Sequence, residues 1–142
     1  MPEKIVYTAV ATSTGEGRNG HIRSSDGLLD AEVRTPAEMG GEGGATNPEQ
    51  LFAAGYAACF HSALKGVSKS QGLEIRDSAV TAEVGIGSNG EGGYGLAITL
   101  RVELGGATQE EAEKAVATAH QVCPYSNATR GNVEVTLEVE VE

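Results

Sequence analysis

The chain has 142 residues, 39% hydrophobic and 21% charged, with 20 acidic against 10 basic side chains and a formal net charge of −10. That composition excludes a disordered chain and a membrane-embedded one, and the length favours a single domain over residues 1–142 with a modest core. Lys and Arg are not clustered, so neither a nucleic acid nor an anionic membrane surface is an expected partner. The opening residues, Met1 to Ile5, lack a positive flank followed by a long apolar run, so no signal peptide is expected. The longest uncharged apolar-rich stretch, Leu51 to Leu64, is too short to span a bilayer and reads as a buried helix. The expected compartment is the cytoplasm. There a stable structural disulfide is not expected, so Cys59 and Cys123 are either two inert core thiols or a redox or metal site.

In chain order, residues 4–14 have strand character, and Gly15 to Gly20 reads as a tight turn holding Arg18. A short run His21 to Arg23 reaches the Asp26-Gly27 hairpin signal, and Leu28 to Val33 returns as a strand stopped by Pro36. Residues 38–46 form a Gly-rich connector. A helix is then expected over about 48–69, with Asn47 as cap, Pro48 at the first position and Gln50 bonding back to the cap. Its centre is apolar almost all round, which predicts a helix covered on most sides, with Ala54, Gly55 and Ala58 allowing close backbone approach. Two alternating strands follow, Val80 to Ile86 and Leu96 to Leu104, joined by a Gly-rich loop at Ser88 to Gly93. Thr108 and Glu111 make a capping box for a second helix, which Pro124 ends. Val133 to Val141 alternates cleanly with glutamates and threonine as a last strand. The order β-β-β-α-β-β-α-β is α+β: a β-meander, a long buried central helix, then ββαβ.

The two thiols differ electrostatically. Cys123, at the C-terminal end of the second helix, meets partial negative charge, which disfavours its thiolate. Cys59, mid-helix in the most apolar segment, is raised by burial alone. An unperturbed thiol with a pKa of about 8.5 is only about 3% ionised at pH 7, so useful reactivity needs a cation worth about 3 kcal/mol. A guanidinium ~4 Å away at an effective dielectric of ~20 supplies about 4 kcal/mol before desolvation. Arg18, in its Gly-rich turn, is the candidate, and Glu49 is the carboxylate suited to hold it bidentately.

The segment Asn47-Pro48-Glu49-Gln50-Leu51-Phe52-Ala53-Ala54-Gly55-Tyr56-Ala57-Ala58-Cys59-Phe60 closely resembles the active-cysteine helix of the organic hydroperoxide resistance branch of the OsmC-like thiol peroxidases. Residues 119–131, centred on Val122-Cys123-Pro124, resemble the second-cysteine motif of that family, and residues 14–20 resemble its arginine turn. Asn19 stands where an acidic residue is expected after the arginine. The resemblance implies an OsmC-like fold in an intertwined homodimer. It implies a peroxidase acting on alkyl or fatty-acid hydroperoxides, in which Cys59 is oxidised first, Cys123 condenses with it to a disulfide, and Arg18 and Glu49 activate Cys59. No bound cofactor or metal is implied. The reductant is an external dithiol, a lipoyl group on a carrier protein or dihydrolipoamide.

Phe52, Tyr56, Phe60 and Tyr125 are candidates for an apolar substrate approach, with plain core packing as the alternative for each. Glu49 and Cys59 lie ten residues apart, about 15 Å along a straight helix, so they cannot touch on one unbroken helix. Either Arg18 bridges them, or the helix is irregular, or a partner subunit supplies one of the three. Two rival readings remain: a metal hydrolase using Cys59, Cys123 and His120 with Glu49 as base, and a thiol redox sensor or ligand-binding module without turnover. His21, His61 and His120 read as structural or surface residues.

Overall fold

The computed structural model describes residues 1–142, which group into two units, Met1–Leu51 and Phe52–Glu142. In the first unit, β1 (Ala11–Glu16), β2 (Asn19–Ser24) and β3 (Asp30–Glu32) form an antiparallel sheet in the order β1-β2-β3. Glu16 pairs with Asn19, so the β1–β2 connection is a two-residue loop of Gly17 and Arg18. Gly17 takes φ +64° there, as the favoured hairpin turns require at their first central position.

The first strand is displaced from its sequence assignment. Residues 4–10 form no ladder, and β1 instead runs into the stretch Gly15 to Gly20 read as a tight turn. Ile5, Val6, Tyr7 and Val10 stay exposed. A β-prone run becomes a strand only where it pairs with the edge of a sheet, and residues 4–10 pair with none. The connector contains a single 3₁₀ turn, Ala37–Met39, and an isolated parallel bridge joins Val33 to Thr46.

The cap of α1 (Pro48–Ser70) forms as Asn47 Oδ1 accepts from the Gln50 N–H at 2.9 Å. The Gln50 side chain does not complete a reciprocal box with Asn47; its Oε1 accepts instead from the Thr46 hydroxyl at 2.8 Å. The helix runs without interruption to Ser70 and is followed by Gly72 at φ +73°. Its buried residues form one stripe, Tyr56, Phe60, Leu64 and Val67 with Ser68, while Ala54 and Ala58 are exposed. Within one chain the full burial of α1 is thus confined to that stripe. Ala and Gly on its other faces present little bulk, so low polarity there does not imply cover within one chain.

In the second unit β4 (Arg76–Ser88) pairs antiparallel with β5 (Tyr94–Gly105), and β5 pairs in parallel with β6 (Glu134–Val141). The β5-to-β6 crossover is made by α2 (Gln109–Val122) and α3 (Pro124–Thr129). Thr108 and Glu111 form the expected capping box, with bonds of 3.1 and 2.9 Å. The short α3 is absent from the sequence reading, which took Pro124 only as a stop. Proline is equally suited to the first position of a helix, and here Cys123 closes α2 and opens α3.

Ile98, Leu100, Val102 and Leu104 of β5 pack with the α1 stripe and with Ala112, Ala115, Val116 and Ala119 of α2. On the opposite face Arg101 pairs with Glu83 at 3.1 Å and Glu138 at 3.3 Å, tying three strands together amid the acidic side chains. Leu100 is fully buried at the middle of β5, so Leu100→Ala is expected to cost about 2–5 kcal/mol in chemical denaturation. A loss below about 1 kcal/mol would contradict this core. No helix is long and apolar enough to cross a membrane.

Candidate active site

The second unit brings the two cysteines together. Cys59 lies mid-way along α1 and Cys123 at the α2–α3 junction, 64 residues later, and the Cys123 Sγ–H donates to Cys59 Sγ at 3.5 Å. Both are free thiols. A disulfide needs about 2.05 Å, so the sulfurs touch and need move only a short way to bond. Cys123 has no exposed surface, whereas Cys59 is partly exposed. Only Cys59 can be met by a molecule from solvent.

Burial pushes the Cys59 thiol above its ordinary value, the backbone N–H of Tyr125 opposes that rise, and the Cys123 sulfur adds to it. Tyr125 is the second residue of α3, and its N–H is among the first-turn donors that have no partner inside a helix. The electrostatic ranking of the thiols by helix ends is modified accordingly. Cys123 closes α2 and opens α3, so opposite dipole ends meet there, and accessibility is what separates the pair.

In the first unit Arg18 and Glu49 form a two-pronged ion pair, Nη1 to Oε1 at 2.7 Å and Nη2 to Oε2 at 3.0 Å. The hairpin tip presents Arg18, and the first turn of α1 presents Glu49. The guanidinium hydrogen bonds hold the Glu49 carboxyl below its ordinary 4.5, against the upward push of burial. A depressed carboxyl stabilises the fold above its unfolded value and loses that contribution as pH falls through the folded one. The stability gap between wild type and Glu49→Gln is thus expected to be full at neutral pH and to close below about 4.5 on acid titration. A gap unchanged well below that pH would contradict the pairing.

The four aromatic candidates separate into two kinds. Phe60 and Tyr56 have no exposed surface, while Phe52 and Tyr125 are at least partly exposed. Phe52, Tyr56 and Tyr125 form a cluster with ring centroids 5.7–6.2 Å apart. Tyr125 lies directly over Gly55, where an added Cβ would come within 3.0 Å of its hydroxyl. Only a glycine lets the ring sit this close to α1.

The histidines are placed as follows. His21 bonds Asp30 and Glu32 on the surface, His61 meets the Ser78 hydroxyl at 2.9 Å, and His120 Nδ1 meets the Ser126 hydroxyl at 2.7 Å. No three His, Cys, Asp or Glu side chains are grouped so as to hold a metal ion, and the Cys59, Cys123 and His120 set required for the hydrolase reading does not form.

Sequence reasoning missed three contributors: the Tyr125 N–H and the buried Ser126 and Thr129, whose hydroxyls meet Tyr56 Oη at 2.7 and 3.1 Å. The signal that existed was Pro124, read as a helix start.

Residues 41–138 match the family model described as OsmC-like protein. The organic hydroperoxide resistance protein of Xanthomonas axonopodis pv. citri is 54% identical over 138 residues, covering 96% of both chains. This chain belongs to the organic hydroperoxide resistance branch of the OsmC-like family. Organic hydroperoxide resistance protein OhrB of Bacillus subtilis is 48% identical, over 95% of this chain and 98% of its own. The crystal structure of such a protein from Legionella pneumophila superposes with a TM-score of 0.93 at 53% identity, covering 97% of this chain and all of that one. The OsmC-like match contains Glu49, Cys59 and Cys123, whereas Arg18 precedes it and falls in the part shared with the full-length relatives.

Proposed function

We propose that this chain is a cysteine-based peroxidase that reduces organic hydroperoxides to alcohols and defends against organic peroxide stress. The observation that carries the reading is a pair of free thiols in contact at 3.5 Å, one reachable from solvent and the other fully buried. The names of the full-length relatives support the substrate class.

In this reading the Cys59 thiolate attacks the distal oxygen of ROOH. Two electrons pass from sulfur into the O–O bond, and with one proton the products are Cys59–SOH and ROH. The Cys123 sulfur then displaces hydroxide from Cys59–SOH, and with its own proton the products are the Cys59–Cys123 disulfide and water. An external dithiol, such as dihydrolipoamide or the lipoyl group of a carrier protein, restores both thiols and leaves as a cyclic disulfide. No bound cofactor or metal takes part.

Arg18 supplies the positive charge that a thiol raised by burial requires, and Glu49 holds the guanidinium in a fixed orientation. Because α1 is unbroken from Pro48 to Ser70, an irregular helix is not the means of joining Glu49 to Cys59. That leaves the reach of Arg18 or a residue from a second subunit.

We take the working unit to be a single OsmC-like domain over residues 1–142 in an intertwined homodimer. Ile5, Val6, Tyr7 and Val10, exposed and outside every strand, and the exposed Ala54 and Ala58 of α1 favour such an assembly. Of the four aromatic candidates Phe52 and Tyr125 are the two with exposed surface, and they are the ones suited to guide an apolar hydroperoxide. The cytoplasm, where thiols stay reduced, is the compartment that fits.

The test is multiple turnover. Catalytic amounts of protein with dihydrolipoamide are expected to consume an alkyl hydroperoxide far beyond stoichiometry. Consumption that stops at one equivalent per chain would favour the redox-sensor reading instead.

A further inference from the structure

His120 and Ser126 stand three residues before and three residues after Cys123, on opposite sides of the bend between α2 and α3. His120 Nδ1 and Ser126 Oγ are 2.7 Å apart, so the two side chains form a chord across the bend that carries the buried sulfur. The backbone is closed over the same span, since the Arg130 guanidinium donates to the His120 carbonyl and to Asn127 Oδ1.

The chord is also anchored to α1. Ser126 Oγ lies 2.7 Å from Tyr56 Oη, and Tyr56 Oη makes a second hydrogen bond with Thr129 Oγ1 at 3.1 Å. Tyr56 precedes Cys59 by three residues on α1, just as Ser126 follows Cys123 by three. Residues three apart on a helix share a face. The sulfur contact and the hydroxyl contact thus join the same two elements side by side, about one helical turn apart. One such contact sets a distance; two in parallel also set an angle. Tyr56 and Ser126 are fully buried, so water does not compete for these hydrogen bonds, and a removed partner leaves an unsatisfied polar group.

We propose that Ser126 and His120 are positioning residues for the second step of the reaction: their bond, anchored on Tyr56, holds Cys123 in line to condense with Cys59–SOH. This rests on the peroxidase reading above. The step forms the S–S bond, breaks the S–O bond and releases water, and neither positioning residue exchanges an electron or an atom. Neither side chain of the clasp is a hydrogen-bond partner of Cys59 Sγ, whose partners are the Cys123 thiol and the Tyr125 N–H, so the clasp acts on the second step and not the first.

Stopped-flow mixing of the reduced full-length protein with an alkyl hydroperoxide, with the sulfenic acid followed by dimedone trapping and the disulfide by mass spectrometry, separates the steps. Ser126→Ala is expected to leave the first-phase rate within about twofold of wild type and to slow disulfide formation about tenfold. The longer-lived sulfenic acid then gives more dimedone adduct, and more sulfinic acid at excess peroxide. His120→Ala is expected to behave likewise. His120→Asn, whose amide can occupy the place of Nδ1, is expected to restore most of the second-phase rate. A role in mere stability predicts no such recovery and no separation of phases.

Disulfide formation at the wild-type rate in both Ser126→Ala and His120→Ala would overturn the inference. So would equal slowing of both phases, or failure of His120→Asn to improve on His120→Ala. Absence of any Cys59–Cys123 disulfide in the wild-type protein would instead overturn the peroxidase reading itself.

Discussion

Cys59→Ser is expected to remove peroxide reduction altogether, while Cys123→Ser keeps one round of it and then stops. The asymmetry follows from the surroundings of the two sulfurs. Cys59 is partly exposed and Cys123 is fully buried behind it at 3.5 Å, so a hydroperoxide can reach only the first. Serine at 59 offers a hydroxyl that does not ionise at neutral pH and cannot carry the two-electron oxidation. Serine at 123 leaves the attacking sulfur in place but removes the thiol that traps its oxidised form. Rapid-mixing measurements on the reduced proteins should therefore show no oxidation phase in Cys59→Ser and a near-normal one in Cys123→Ser, followed by accumulation of sulfenic acid. Equal first-phase rates in the two variants would contradict the assignment of roles.

Arg18→Ala is the second large effect. Burial raises the Cys59 thiol, so at neutral pH it stays mostly protonated unless positive charge is brought to it. Lowering such a pKa by about 2 corresponds to about 3 kcal/mol, or roughly a hundredfold in thiolate population. Arg18→Ala is thus expected to slow the first phase about a hundredfold at pH 7 and to move its pH dependence upward. Arg18→Lys keeps the charge but loses the two-pronged grip on Glu49 seen at 2.7 and 3.0 Å, so an intermediate rate is expected. A first phase unchanged in Arg18→Ala would remove Arg18 from the chemistry and leave its pairing with Glu49 as a structural tie.

Much of this was legible in the residues. The alternation of Val133 to Val141 gave β6, Asn47 and Pro48 marked the start of α1, and the Thr108–Glu111 box marked that of α2, because each is a local pattern with a local cause. Three features were not. Residues 4–10 have strand composition, but composition does not say whether a pairing edge exists. Pro124 was legible as the end of α2, whereas its second role, opening α3 over Cys59, depends on tertiary packing. The Tyr56–Ser126 hydrogen bond joins residues 70 apart in sequence, and no periodicity links them. The cysteine pair lies between these cases. Its members stood out by chemistry, their grouping came from the family resemblance, and their contact from the fold.

The most direct measurement of the central claim is a peptide map of the reduced protein after one equivalent of an alkyl hydroperoxide, digested without reductant. The account predicts a single crosslinked species joining the Cys59 and Cys123 peptides, lighter than their sum by two hydrogens, that disappears on adding dihydrolipoamide. Two free cysteines, or oxidation confined to Cys59 with no crosslink, would contradict it.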